Sequence, residues 1–198
     1  MSEKQMVDDE FAEWEQDKEA TYILTNLVEE LNEPDSLAYF WEKLGPFTPE
    51  LFANDGAQMV QEVLFQWIRT GGQVTSEHFK QFSDWVAENI ASLDESGRVH
   101  QCLQMAILYA PKGNYFSPDE KENARFADTS MIEQWVDTAM EHASSVDDWN
   151  YIVEVIAQPD SGSNLADKAW GARILEKGMS ALDAGEGKKL EARAKDYL

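Results

Sequence analysis

Apolar residues recur along this chain at the three- and four-residue spacing of amphipathic helices, and no run alternates long enough to read as a strand. The spacing predicts a first helical segment between Asp8 and Leu31, with Phe11, Trp14, Tyr22, Ile23, Leu27, Val28 and Leu31 on its apolar side. Asp8, Asp9 and Glu10 suit its N-terminal end, where the helix dipole favours negative charge, and Pro34 terminates it. A second helix runs from Asp35 as cap through Leu37, Phe40, Trp41 and Leu44 to the break at Gly45-Pro46. One turn opened by Thr48 follows at Pro49 to Phe52. The pattern Met59, Val60, Val63, Leu64, Trp67, Ile68 predicts a strongly amphipathic helix from Asp55, with Gly71-Gly72 past its end.

Thr75 or Ser76 then caps a helix carrying Phe79, Phe82, Trp85, Val86, Ile90 and Leu93, and another carries Val99, Cys102, Leu103, Ala106, Ile107 and Leu108 as far as Pro111. Residues 111–129 are rich in Pro, Gly and Asn and predict an irregular loop, with a short helix opened by Ser117-Pro118-Asp119-Glu120. Helices are expected beyond it from Ser130 to Ala143, Asp147 to Ala157, Asn164 to Leu182 and Glu186 to Leu198. These elements predict one all-α domain over 1–198, with N-terminal helices in 1–110, the loop at 111–129 and helical repeats in 130–198.

The helices share a frame of apolar or small residues at relative positions 0, 1, 4, 5 and 8. It occurs as Trp85, Val86, Asn89, Ile90, Leu93, as Trp135, Val136, Ala139, Met140, Ala143, and as Ile174, Leu175, Gly178, Met179, Leu182, with Asn89 the polar exception. The starts lie 50 and then 39 residues apart, and the surplus falls on the loop at 111–129. Helical hairpins at such a period stack on their neighbours because one hairpin cannot bury its own apolar face. The expected architecture is therefore antiparallel hairpins stacked as a short right-handed solenoid-like layer, or an irregular helical bundle.

One hairpin carries a resemblance. Asp148-Trp149, Ile152 and Ile156 are followed by Leu165-Ala-Asp-Lys-Ala-Trp170-Gly-Ala-Arg173-Ile-Leu175-Glu-Lys177-Gly-Met179. Residues 147–182 thus resemble a bacterial α-helical repeat of the tetratricopeptide and HEAT style, in which an Asp-Trp or Asp-Tyr helix precedes an Asp-Lys-x-Trp-Ala-x-x-Leu/Ile-Tyr-x-Lys-Ala helix. Gly171, Leu175 and Gly178 depart from it, standing where Ala, Tyr and Ala are usual. The resemblance implies a scaffold or binding surface and brings no catalytic residues with it. Each glycine weakens its helix by up to about 1 kcal/mol relative to Ala, which close helix packing at those positions would offset.

Composition changes the picture in two ways. With 43% hydrophobic residues and seven Trp, the chain has ample material for a core despite its charge. Its 38 acidic against 16 basic residues leave a net charge of −22, which repels phosphate backbones and anionic membranes and attracts basic proteins. The same charge also serves solubility. A lone cysteine excludes an internal disulfide. The acidic N-terminal segment has no leader-like apolar run and no stretch approaches a membrane span, so the cytoplasm is the expected location.

Chemistry is sparse. His78, His100 and His142 are scattered without metal-ligand spacing and read as surface residues. Cys102 has only His100 nearby in sequence, two residues away and on another side of the helix. The run Asp160 to Asp167 lacks the ligand series of a calcium loop, and the glycines form no phosphate-binding fingerprint. No cofactor is expected. The candidate partner-binding residues are Phe11 and Trp14 as aromatic anchors and Glu13, Glu15 and Asp17 around them, with packing onto the protein's own first hairpin as the other use of the two rings. The expected function is a non-enzymatic, acidic protein-binding module that neutralises a basic partner, as an inhibitor, immunity protein or nucleic-acid mimic would. A small metal-dependent hydrolase assembled only in the fold and a structural scaffold are the alternatives.

Overall fold

Wherever an apolar stripe of sufficient length meets a capping residue, a helix forms. The computed structural model describes residues 2–110, 126–158 and 165–198, and among these are eleven α-helices and no strand. The protein is all-α. No helix among the described residues is long and apolar enough to cross a membrane. The chain divides into two compact units, Met1–Ser92 and Leu93–Leu198. Residues 111–125, with the short helix expected at Ser117 to Glu120, and most of the turn from Asp160 to Asp167 lie outside the described residues.

The first unit contains α1 (Glu3–Trp14), α2 (Thr21–Glu30), α3 (Pro34–Leu44), α4 (Pro49–Ala53), α5 (Gly56–Arg69) and α6 (Ser76–Asn89), closed by a 3-10 turn at Ile90–Ser92. The segment expected as one helix between Asp8 and Leu31 is two, and the first begins earlier, at a Ser2 cap. The break at 15–20 has a physical cause: between Trp14 and Ala20 there is no apolar residue to bury, and Glu15, Asp17 and Glu19 crowd like charges. Asp17 instead turns the chain, its carboxylate accepting the Glu19 N–H at 3.2 Å.

The start of α3 also differs from expectation. Pro34 opens the helix, Asp35 sits in its first turn, and the carboxylate of Glu3 accepts the N–H groups of Asn32 and Glu33, each at 3.0 Å. An acid on α1 thus holds the entry to α3. Helix α5 packs on α2, α3, α4 and α6, and Met59, Val60, Val63 and Leu64 are fully buried on it, as its spacing predicts. The end of α2 is secured by Gln66, which donates to the Leu31 carbonyl at 2.7 Å.

The second unit contains α7 (Glu95–Leu108), α8 (Thr129–His142), α9 (Val146–Ala157), α10 (Lys168–Ala181) and α11 (Ala184–Ala194). Helix α7 pairs with α8, while α9 packs on α10 and α11. All five start on a side-chain cap: Asp94, Asp128, Ser145, Asp167 and Asp183. Asp148 is buried, and one of its oxygens accepts the N–H of Ser144, the N–H of Ser145 and the Ser145 hydroxyl. Asp167 accepts the Trp170 N–H at 2.8 Å. Gly171 and Gly178 are contact points: a Cβ at Gly171 would meet Cβ of Ala157 at 2.7 Å, and one at Gly178 would meet Trp149 and Leu190, each at 2.8 Å. The loss of helix propensity at these glycines is offset by helices that approach more closely than a methyl group allows.

Candidate functional site

The expected aromatic anchors are used internally. Phe11 is 4% exposed and meets Phe40 and Trp14 edge-on, with ring centroids 5.1 and 5.9 Å apart. Trp14 is 9% exposed, with the ammonium of Lys18 lying 3.7 Å from its ring centroid. Both rings therefore hold α1 within the first unit. Of the candidate partner-binding residues, Glu13, Glu15 and Asp17 remain on the surface, where with Glu19 they form a run of exposed carboxylates at the α1–α2 break.

The charge of this unit is unevenly compensated. Residues 1–92 hold 19 acidic side chains against five basic ones, and each base is already engaged. Lys4 and Lys18 lie over the rings of Tyr39 and Trp14. Lys43 binds Asp8 at 2.5 Å, Lys80 binds Asp84 at 2.5 Å, and Arg69 stands 3.9 Å from Glu62. Asp8 also accepts the Tyr39 hydroxyl at 2.7 Å, and the hydrogen bonds from Lys43 and Tyr39 hold its carboxyl below the ordinary carboxylate range. Burial pushes the Glu62 carboxyl up; Arg69 opposes that shift and Glu29 adds to it. None of these bases is paired with Glu13, Glu15, Asp17 or Glu19.

The acidic run leads into a cleft of about 280 Å³ where the start of α2 faces the α4–α5 junction. Asn54 fixes the junction by donating its amide to the Lys18 carbonyl at 3.2 Å. Glu19 and Asp55 line the cleft beside Asn26, Asn54 and Gln58. Thr21 and Tyr22 complete it from the first turn of α2. Tyr22, which its spacing assigns to a buried stripe, is 67% exposed. Thr21 is 3% exposed, and its hydroxyl has no hydrogen-bond partner among the described residues. Asp55 holds a left-handed backbone at φ 60°, uncommon for a non-glycine residue. The cleft joins residues more than thirty positions apart, which helical periodicity does not reveal.

Other candidate chemistry is dispersed. His78, expected at the surface, is half-buried between the rings of Trp41 and Trp67, with centroids 5.4 and 4.9 Å away. Its Nδ1 accepts the Thr75 N–H at 3.0 Å, completing a capping box for α6. Burial lowers its pKa, and Glu77 opposes that shift. His100 stacks on Tyr151 at 5.4 Å. Cys102 is fully buried, and burial, with Glu141 adding, pushes its thiol up to about 12. Among the described residues no three His, Cys, Asp or Glu side chains group as metal ligands.

No protein-family model matches the chain, and neither the curated proteins nor the solved structures contain a match to it.

Proposed function

We propose that the chain is a non-enzymatic protein-binding module that acts in the cytoplasm and neutralises a basic partner protein, in the manner of an inhibitor or immunity protein. The observation that carries this reading is the acidic run: the five bases of residues 1–92 make their contacts elsewhere, while Glu13, Glu15, Asp17 and Glu19 stay exposed with no ion-pair partner among the described residues. Such a surface steers a basic partner and contributes to specificity and association rate. Lys18, whose ammonium lies over the Trp14 ring, sets one positive charge against the four carboxylates and leaves the run net negative. The resemblance of residues 147–182 to a helical repeat agrees with this reading, since such repeats present surfaces and carry no catalytic groups.

The test is an affinity capture from the source cell with the full chain and with a variant carrying Glu13→Gln, Glu15→Gln and Asp17→Asn. The expected outcome is a basic protein retained at ~50 mM salt, largely released by ~300 mM as screening shortens the range of the field, and recovered much less by the variant. Retention that is indifferent to both salt and the three substitutions would sink the proposal.

A further inference from the structure

Positive charge is gathered at one end of this chain. Residues 165–198 hold seven basic side chains against six acidic ones, whereas the rest of the chain holds nine against 32. Two of the six acids, Asp167 and Asp183, face backbone N–H groups as helix caps. Three of the bases have contacts: Arg193 pairs with Asp147, Lys168 donates to the Leu198 carbonyl at 3.3 Å, and Lys189 acts on Asp183. Arg173 and Lys177 on α10, Lys188 on α11 and Lys195 just past it are exposed, and their side chains make no ion pair or hydrogen bond among the described residues. The five bases of residues 1–92 and Arg98 all have partners. The uncommitted bases of the described residues therefore all lie on the α10–α11 hairpin. Gly187 packs on Met179 and Gly178 on Leu190, which sets Lys177 and Lys188 at the same level of that hairpin.

We infer that this basic hairpin docks onto the acidic run of a second copy of the chain. Four uncommitted bases meet the four exposed carboxylates of Glu13, Glu15, Asp17 and Glu19. Apolar contact is present on both sides. Among the described residues the exposed large apolar side chains are Met179 and Leu198 on the hairpin and Tyr22, three residues past the run, and a thioether packs well against an aromatic ring. The hairpin also breaks a local rule. Arg173 and Lys177 stand four apart on one helix, where like charges destabilise, in a chain with 38 acids that could have served there. Departures of this kind mark surfaces that act on something else.

The net charge of −22 opposes contact between copies at long range. At ~150 mM salt the field reaches only about 8 Å, so neighbouring charges decide the outcome. Association is then weakest at low salt, passes through a maximum near physiological salt and falls again once the pairs themselves are screened. A docked copy covers the run that the proposed function gives to a basic partner, so the two contacts compete, although neither requires the other.

The experiment is sedimentation equilibrium of the full chain at ~20, ~150 and ~600 mM salt. The expected result is a mass that rises with protein concentration at ~150 mM and stays nearer the monomer at both extremes. Arg173→Glu with Lys188→Glu, one reversal on each helix, should weaken association at least about tenfold. Its melting temperature should hold or rise, because a carboxylate at position 173 forms a favourable pair with Lys177. Glu13→Lys with Glu15→Lys and Glu19→Lys should weaken association to a similar extent, Asp17 being kept for its turn. Mixing the two variants should restore association, since each then meets opposite charge on the other.

A chain that stays monomeric up to ~1 mM at ~150 mM salt overturns the inference, as does association that strengthens steadily with salt or survives both sets of reversals. A mixture of the variants that stays monomeric overturns it too. So does a DNA duplex that the wild type binds more tightly than it binds itself and that Arg173→Glu with Lys188→Glu no longer binds, since nucleic acid is then the ligand. The two proposals fail separately. A monomeric chain that still captures a basic protein removes the hairpin contact and leaves the function, whereas self-association with no basic partner in the cell does the reverse.

Discussion

A methyl group at Gly178 would lie 2.8 Å from Leu190 and 2.8 Å from the indole of Trp149, both buried. Helix propensity favours alanine there by about 1 kcal/mol, but overpacking costs about 1–3 kcal/mol, and the contact involves a rigid ring. Gly178→Ala should therefore lower stability by up to about 2 kcal/mol net, read as a lower urea midpoint at unchanged slope. His78 makes the second prediction at this scale. Its Nδ1 accepts a backbone N–H, which requires the neutral ring, and burial lowers its pKa in the folded state. As pH falls below the ordinary imidazole value of 6.5, the unfolded chain gains a proton that the folded chain resists, so this contribution to stability is lost until the lowered folded value is passed. Glu62, shifted up by burial, works in the opposite sense at more acid pH. The contribution of His78 is therefore best read as the difference between wild type and His78→Gln, which should shrink as pH drops from 7 toward 5.

Among the elements, α9 shows how a helix of modest length is fixed by its first turn. Ser145 accepts the Asp148 N–H at 3.1 Å, and Asp148 returns the favour to the backbone on the far side of the cap. Ser145→Ala should cost about 1 kcal/mol, and Asp148→Ala more, about 2 kcal/mol, because it leaves three donors around a buried position without their acceptor. Urea denaturation of both variants checks the order. Caps of this kind were legible in the sequence: Thr48, Thr75 and the stripe of α5 are where their residue types and spacing predict. The helix break at 15–20 was not, because the apolar residues on either side keep nearly helical phase across it, and only the polar run between them lacks anything to bury. The entry to α3 was likewise hidden, since Glu3 reaches it from another helix. Phe11 and Trp14 were legible as a helical pair, but the pattern alone does not say whether such rings face the protein's own core or a partner. The cleft depends on Asn54 meeting the Lys18 carbonyl, a long-range hydrogen bond no periodicity encodes.

For the whole molecule, a net charge of −22 makes self-repulsion a standing load on both folded units. Added sodium chloride should screen it, and a relief of about 1 kcal/mol corresponds to about 2–4 °C in melting temperature for a chain of this size. A scan from ~20 to ~300 mM salt should show a rise of that order; a fall would mean that the ion pairs such as Lys43–Asp8 outweigh the repulsion. The buried thiol of α7 has a practical corollary. Cys102 is the chain's single cysteine, is fully buried, and keeps its proton far above neutral pH, so a thiol-specific reagent has nothing to attack while Leu93–Leu198 stays closed. Labelling must wait for an opening event, and its rate then measures how often that unit breathes. With no second thiol to confuse the signal, the molecule carries its own gauge of opening. Gly178→Ala, placed in the same unit, should quicken that gauge by up to about tenfold for each 1.4 kcal/mol it removes.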